Sequence, residues 1–459
     1  VGELIVVANR GPSISIGEDG DPVVSSSAGG VAPSLHRALR AAGGGQWICA
    51  AHSADEHELA RRGVPTAIDG VAVTFVSVTE EVQRAAVGVI ANQTLWFANH
   101  HLYDQARRPI LDAHWHAAWA QYRAFNDAFV DAISGAASPG ATVVVNDYHL
   151  ALTGAGLRAR RPDLRTICFF HTPFAAPDEL RILPRTVRRE LLGALASFGA
   201  VGFHVPRWAD AYRRCAAEEE IEAVVVTVPL GVDPEALAEL AGSPEVVAHR
   251  AALVERFAGR QVVARSDRVE LSKNLIRGFL AFGELLATDP DRRGKVTFAA
   301  RVYASRTELP EYLAYANDVQ RVADRINAQF GVPGWAPIEL DVADDLAASV
   351  ALLCENDVLL VNPVRDGMNL VAKEGALLNG RDGVLLLSEE AGAFDELGAF
   401  AIPVEPFDVS GTAAALRRAL DLDDSDRHRR AEGLRGVAGG LGPLAWLERV
   451  ADAARLPGR

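Results

Sequence analysis

A two-domain, doubly wound α/β fold is predicted by three observations. Short apolar strand candidates alternate with helix-length segments, the alternation occurs in two rounds, and a Pro- and Gly-containing stretch separates the rounds. The first round holds Leu4–Ala8, Thr142–Asn146, Thr166–Phe170, Ala200–His204 and Ala223–Val228. The second holds Val262–Arg265, Val296–Ala300, Ile338–Leu340, Val358–Asn362, Val384–Ser388 and Phe400–Val404. Each run is apolar on both faces, as parallel strands are when helices cover both sides of the sheet. Between them lie Ser34–Ala42, Leu111–Ser134, Asp178–Ala194, Pro244–Phe257, Glu308–Phe330 and Ala343–Cys354, long enough for helices. Pro229–Gly242, PLGVDPEALAELAG, marks the boundary. The predicted division is residues 1–235, residues 236–440, and a closing segment 441–459 whose helix is free to pack back on the first domain. Sheets of this kind bind ligands outside the carboxyl ends of their strands, so a cleft between the two facing domains is the expected site.

Composition narrows the function. The chain has 459 residues, enough for two or three domains, and 49% of them are hydrophobic, which excludes disorder as the main state. Its net charge of −14 argues against duplex nucleic acid and anionic membrane as partners. No apolar run reaches the roughly 18 residues of a membrane span, and Val1–Arg10 turns polar too soon for a secretory signal. Cys49, Cys168, Cys215 and Cys354 are far apart and form no C-x-x-C pair, so free thiols in a reducing, cytoplasmic compartment are expected. A homo-oligomer remains compatible with the sequence. Lysine occurs only at positions 273, 295 and 373; every other cation is arginine. Where lysine survives such a bias, a compact ammonium has a stronger claim to a role.

Five segments carry candidate chemistry. Asn362–Glu374, NPVRDGMNLVAKE, leaves a buried strand and opens a helix, with Asp366 as expected N-cap and Gly367 allowing close backbone approach. A helix N-terminus is an anion site, although an ordinary capped helix with a solvated Glu374 fits the same pattern. Ser266–Lys273, SDRVELSK, follows the first strand of the second domain, and the guanidinium of Arg268 with the ammonium of Lys273 suits a diphosphate. Asn146–Leu150, NDYHL, and Phe170–Pro173, FHTP, end neighbouring strands and bring Asp147, Tyr148 and His171 to one sheet edge. A turn Asp and a core His account for them equally well taken singly. Ala8–Pro12, ANRGP, and Ser27–Val31, SAGGV, place Arg10 and Gly30 after the first strand without the G-x-G-x-x-G of dinucleotide binders. The acidic run Asp421–Asp426, DLDDSD, is read as a helix cap, and no metal site or cofactor is expected.

Taken together, these segments with FFHTPF, RINAQFGVPGWAP and LLLSEEAGAFDELG resemble the motifs of trehalose-6-phosphate synthases, in the family's order, from about residue 4 to about residue 450. The resemblance implies a retaining glycosyltransferase of the GT-B type, with two Rossmann-like domains facing across a cleft. It implies a nucleotide-linked donor and a phosphorylated small-molecule acceptor. Arg268 and Lys273 would neutralise the donor diphosphate, and Glu374 would bind the ribose. Asp366 with the backbone of Gly367, Met368, Asn369 and Leu370 would hold the transferred ring and phosphate, and His171 would contact that ring. Arg10, Gly30, Asp147, Tyr148 and Arg306 would hold the acceptor, with Arg10 and Arg306 on its phosphate. Arg268, Lys273, His171 and Asp147 form the implied catalytic set.

The departures from the pattern shape the expected reaction. Ala50 stands where the family presents a tryptophan, and Val87 where it presents a tyrosine nine residues before the Trp that matches Trp96. The usual R-L-D-Y-S-K-G is RVELSKN. The stretch Ala216–Leu230 is shorter than the family's. An altered acceptor pocket beside a retained phosphate set resembles the pseudo-glycosyltransferase branch of the family. The expectation is therefore coupling of a GDP-linked cyclitol, GDP-valienol, to validamine 7-phosphate through a C–N bond with retention, as in validamycin-type antibiotic biosynthesis. The alternative is transfer of glucose from a nucleotide sugar to glucose 6-phosphate. A glycoside hydrolase and a catalytically silent nucleotide-sugar sensor are the competing classes.

Overall fold

The computed structural model describes residues 3–12, 14–17, 20–24 and 31–455. The chain divides into two compact units, Val1–Leu230 with Pro443–Arg459, and Gly231–Gly442.

The first unit is built on an eight-stranded sheet. Its order is Val225–Thr227, Ala200–Phe203, Arg165–Phe170, Thr142–Asn146, Leu4–Ala8, Gly45–Ala50, Val71–Val76 and Thr66–Ile68. All neighbours are parallel except the edge strand Thr66–Ile68, which runs antiparallel to Val71–Val76. Thr142–Asn146 is buried at every residue, because it lies mid-sheet under helices on both faces. The strand order reverses between Leu4–Ala8 and Thr142–Asn146, so the segments leaving those two strands diverge at that point. Such a switch point opens a crevice at the carboxyl edge. Arg10 and Asp147 leave those strands.

The long helix Ala113–Ala136 starts at Asp112, whose side chain accepts the Trp115 N–H. It buries Trp115, Trp119, Tyr122, Phe125 and Phe129 on one face. Ahead of it, Arg84–Leu95 is a π-helix joining Glu80–Gln83 to Trp96–Asn99. π-Helical geometry is uncommon and frequent at functional sites, and this stretch carries Val87 and leads to Trp96.

The second unit is a six-stranded, all-parallel sheet in the order Ile338–Val342, Val296–Ala304, Gln261–Val269, Val358–Val361, Val384–Ser388, Ile402–Val404. Numbered along this unit, the order is 3-2-1-4-5-6, that of a Rossmann fold. Its switch point lies between Gln261–Val269 and Val358–Val361. Phe279, Phe282, Phe298, Leu360 and Leu386 are among the residues of its core.

Several elements differ from the sequence expectation. Gln261–Val269 runs four residues past Arg265, so Arg268 lies on the strand rather than after it. The run continues because Arg265 and Asp267, both buried, neutralise each other at 3.1 Å. Asp178–Ala194 is two helices, Pro177–Leu180 and Arg185–Ala196, interrupted before Pro184. Gly45–Ala50, Thr66–Ile68 and Val71–Val76 are strands absent from the expectation. All four cysteines are free and buried. Among the described residues no helix is long and apolar enough to cross a membrane.

Candidate functional site

Each unit gathers polar residues at the carboxyl edge of its own sheet. In the first unit Asp147 follows the strand Thr142–Asn146 with φ of +65°, a left-handed value a non-glycine residue adopts only when its surroundings hold it there. Two bonds to the next strand do so. Its N–H donates to the Phe169 carbonyl at 2.8 Å, and its carboxylate accepts the His171 N–H at 2.8 Å. Asp147 and His171 are thereby fixed against each other.

Tyr148 is buried, with its hydroxyl donating to Asn92 at 3.4 Å and its ring beside Trp96 and His149. Trp96 stacks on His100 at 3.8 Å between centroids. Arg10 is exposed, next to the buried Asn9, whose carbonyl lies 2.9 Å from His52 Nε2. Burial, then the Arg10 charge, lowers the His52 pKa. Gly30, with Ser27–Gly29, lies outside the described residues.

His171 is held by more than Asp147. Its Nδ1 lies 3.2 Å from His204 Nε2 and its Nε2 lies 2.9 Å from Asn146 Oδ1. A ligand contact through either ring nitrogen therefore replaces a bond already made within the protein. Trp446, on the closing helix Pro443–Ala453, sits 5.4 Å from the His171 ring and donates its indole N–H to the Val228 carbonyl. His204 and Trp446 do not stand out in the sequence. The only available signal is that His204 follows a strand end, as His171 does.

In the second unit the loops after the first and fourth strands meet. Lys273 Nζ donates to Asp366 Oδ2 at 2.8 Å and lies 3.3 Å from Asp267. Burial opposes its charge, but Asp366 and Asp267 outweigh burial and raise its pKa. Fully buried Arg265 donates to Asn362 Oδ1 at 2.5 Å and also to the Lys273 carbonyl, tying the two loops together. The network is one of alternating charge, and each buried ion has a partner.

Asp366 is not the N-cap expected of it. The helix is Leu370–Leu378, and Asn369 caps it, with φ of +77° and its side chain accepting the Ala372 N–H. Asp366 instead accepts from Lys273 and from Asn369 Nδ2, so it braces the turn from outside the helix. The turn is also pinned by backbone bonds: Gly392 N–H donates to the Asp366 carbonyl and Ala393 N–H to the Met368 carbonyl. Met368 is buried. Leu370 and Glu374, four residues apart, share a half-buried face of the helix. Lys373, on another face, is wholly buried and ion-paired to Glu396.

Arg268 and Arg306 meet at Glu270, 3.0 Å and 2.6 Å from its two carboxylate oxygens. Glu270 chiefly, against burial and the like charge of Arg306, raises the Arg268 pKa. Glu270 gives no signal in the sequence, where it is one glutamate between an arginine and a lysine. Arg306 belongs to the second unit, whereas Arg10, Asp147 and Tyr148 belong to the first. Among the described residues no group of three or more His, Cys, Asp or Glu side chains is placed to hold a metal ion. Asp423, in the acidic run, caps the helix Asp424–Ala438.

The second unit thus sets Lys273 on a tight turn leading into a helix N-terminus, with the charge of Arg268 close to the lysine, an arrangement suited to a phosphorylated ligand. The sequence profile of glycosyltransferase family 20 matches residues 2–438. The chain is 32% identical over 445 residues to alpha,alpha-trehalose-phosphate synthase [UDP-forming] 1 of Arabidopsis thaliana, with 93% of this chain and 47% of that protein covered. It spans about half the length of that relative. A trehalose-6-phosphate structure from E. coli with UDP-2-fluoro glucose bound superposes with a TM-score of 0.87 at 27% identity, over 99% of both chains. An alpha,alpha-trehalose-phosphate synthase (UDP-forming) from Burkholderia xenovorans in complex with glucose-6-phosphate superposes with a TM-score of 0.86 at 27% identity, over 99% of this chain and 100% of that one. With two Rossmann-like folds of the GT-B type and a profile match over nearly its whole length, the chain belongs to glycosyltransferase family 20, the family of the trehalose-6-phosphate synthases.

Proposed function

We propose that the protein is a retaining transferase that moves a sugar from a nucleotide sugar to glucose 6-phosphate. One observation carries this reading. Lys273 is bonded to the Asp366–Asn369 turn and the charge of Arg268 acts on Lys273, in a chain that matches the family over residues 2–438. The donor diphosphate lies on Arg268 and Lys273, and the N-terminus of Leu370–Leu378 faces the same charge. As the sugar leaves, negative charge builds on the phosphate. These groups are fixed before the reaction and stabilise that charge without reorganising. The departing phosphate takes the proton of the incoming hydroxyl on the same face, so no enzyme nucleophile is required. Glu374 binds the ribose, and Met368 and Leu370 line the turn that holds the transferred ring. Arg306, on the same unit as the donor cations, binds the acceptor phosphate.

A second reading has its own observation. Ala50 and Val87 replace two aromatic side chains of the family's acceptor pocket, which favours a different acceptor. In that reading the protein acts like validoxylamine A 7′-phosphate synthase and joins GDP-valienol to validamine 7-phosphate through a C–N bond. The relatives matched by this chain support the sugar-transfer reading more directly.

One mass-spectrometric assay separates them. UDP- or GDP-glucose with glucose 6-phosphate goes in one tube, GDP-valienol with validamine 7-phosphate in another. A disaccharide phosphate in the first tube alone establishes sugar transfer. Product in the second alone replaces it with the C–N coupling. Bond cleavage without any nucleotide would point instead to a hydrolase.

A further inference from the structure

Glu270 follows the first strand of the second unit and has no exposed side-chain surface. A carboxylate buried so completely stays charged only if cations are paired with it. Two are, Arg306 largely buried and Arg268 partly exposed. Arg306 Nη1 donates to Oε1 at 2.6 Å, and Arg268 Nη2 lies 3.0 Å from Oε2. The Tyr312 hydroxyl donates to Oε1 at 3.0 Å, and its ring lies 5.4 Å beneath the Arg306 guanidinium. Arg306 itself has φ of +47°, so its backbone is held in an unfavourable conformation that the side-chain bonds help to maintain. The two guanidinium groups oppose each other's charge, and Glu270 is what lets them stand together.

We propose that Glu270 is a positioning residue that builds two phosphate sites on one carboxylate. Arg268 serves the donor diphosphate, Arg306 serves the acceptor phosphate, and Glu270 sets the register between them. This rests on the sugar-transfer reading, which gives the two arginines different ligands. A transferase must present its two substrates to each other in one orientation, and a shared rigid anchor fixes the anionic ends of both. The consequence is specific. A carboxylate that merely reduced local positive charge would weaken anion binding, and neutralising it would tighten both ligands. A carboxylate that positions the arginines has the opposite effect: neutralising it lets the guanidinium groups repel and weakens both ligands.

Calorimetric titration of the full chain decides between these, with UDP or GDP as donor-site probe and glucose 6-phosphate as acceptor-site probe. Thermal melts of every variant run alongside. Arg268→Ala should weaken the nucleotide alone, and Arg306→Ala the sugar phosphate alone. Glu270→Gln should weaken both, each by about tenfold or more as expected for a lost charged hydrogen bond, and Glu270→Asp should recover part of both. Should Glu270→Gln fail to fold, Tyr312→Phe removes one bond to the carboxylate with no change of charge, and smaller losses for both ligands are expected. The proposal is overturned if Glu270→Gln affects one ligand only, affects neither or tightens either, or if Tyr312→Phe leaves nucleotide binding unchanged. An unsubstituted chain that binds no glucose 6-phosphate overturns the sugar-transfer reading itself, and this proposal with it.

Discussion

His171 and His204 share one hydrogen bond, and its direction can be deduced. The Leu230 backbone N–H donates to His204 Nδ1 at 3.3 Å, so His204 carries its proton on Nε2. That proton is given to His171 Nδ1 at 3.2 Å, which leaves the His171 proton on Nε2. His171 Nε2 then donates to Asn146 Oδ1 at 2.9 Å, while Asn146 Nδ2 donates to the carbonyls of Val7 and Val144. The amide orientation, both tautomers and both neutral rings follow from three backbone anchors, the Leu230 N–H and the Val7 and Val144 carbonyls. A positive charge on either ring would place two N–H groups face to face.

This chain of bonds predicts acid sensitivity. Burial, then the neighbouring His204, holds the His171 pKa well below its ordinary value of 6.5. Between the folded and unfolded values the unfolded chain binds more protons. The stabilisation is therefore complete above pH of about 6.5 and is lost as pH falls toward the folded value. The melting temperature should drop between about pH 7.5 and pH 5.5. His171→Gln should recover a measurable part of that drop, the remainder belonging to groups such as His52, whose pKa burial also lowers. An identical acid-side drop in the variant would sink the assignment.

Lys273 lies between Asp366 and Asp267, where a compact ammonium fits and a planar guanidinium does not. Lys273→Ala and Arg268→Ala should each lower kcat/KM by roughly 10²- to 10³-fold, the usual loss when a preorganised electrostatic group is removed. Lys273→Arg should not restore the rate, because its larger head cannot take both carboxylates in the same geometry. Steady-state kinetics with each substrate varied will check this. Near-normal turnover in both alanine variants would end the assignment of these residues to the donor diphosphate.

Gly392 is required by close backbone approach. A Cβ there would stand 2.1 Å from the Gly367 carbonyl oxygen and 3.0 Å from Met368 Cα. Both are backbone atoms of the turn that precedes Leu370–Leu378, so no side chain can rotate to make room. Gly392→Ala should cost about 1–3 kcal/mol of stability, as overpacking does. It should also shift the turn and weaken nucleotide-sugar binding more than sugar-phosphate binding. Thermal melts and titrations of the two ligands will check both parts. Unchanged donor affinity would mean that the turn does not hold the donor.

What the sequence reveals depends on how each residue is buried. Thr142–Asn146 and Val384–Ser388 are legible because every residue faces a helix layer, which leaves an unbroken apolar run. Gln261–Val269 is legible only to Arg265, since a strand that continues through Arg265, Asp267 and Arg268 looks like a loop until the buried ion pairs are known. Val71–Val76 is joined to its antiparallel neighbour Thr66–Ile68 by the two-residue turn Asp69–Gly70, a hairpin signal that is legible in the sequence and that the expectation above leaves unused. Asp147 and His171 are identifiable from their places at strand ends. Their partner His204 is not, because its role depends on a bond to Leu230 at the end of another segment. Asp366 is legible as a site residue but not in its role, because Asn369 adopts the left-handed conformation and takes the cap. Glu270 needs Arg306, 36 residues away in the chain, before it means anything.

The acidic run Asp421–Asp426 offers a last test, because its D-x-D spacing could also hold a metal ion. Asp423 already has structural work: its carboxylate accepts the Asp426 N–H at 2.9 Å and the Ser425 hydroxyl at 2.7 Å. Those bonds, the Asp426 N–H first, lower its pKa, as expected of an N-cap carboxylate at the positive end of a helix. Asp423→Ala should therefore lower the melting temperature and leave kcat unchanged, whereas Asp423→Asn should lose less stability because its amide oxygen can still cap. In the proposed mechanism the leaving phosphate is neutralised by Arg268, Lys273 and a helix N-terminus, so turnover should be the same with and without a strong chelator. Loss of turnover in chelator, restored by added divalent cation and abolished in Asp423→Ala, would transfer the leaving-group role from the arginine and lysine to a metal held by this run.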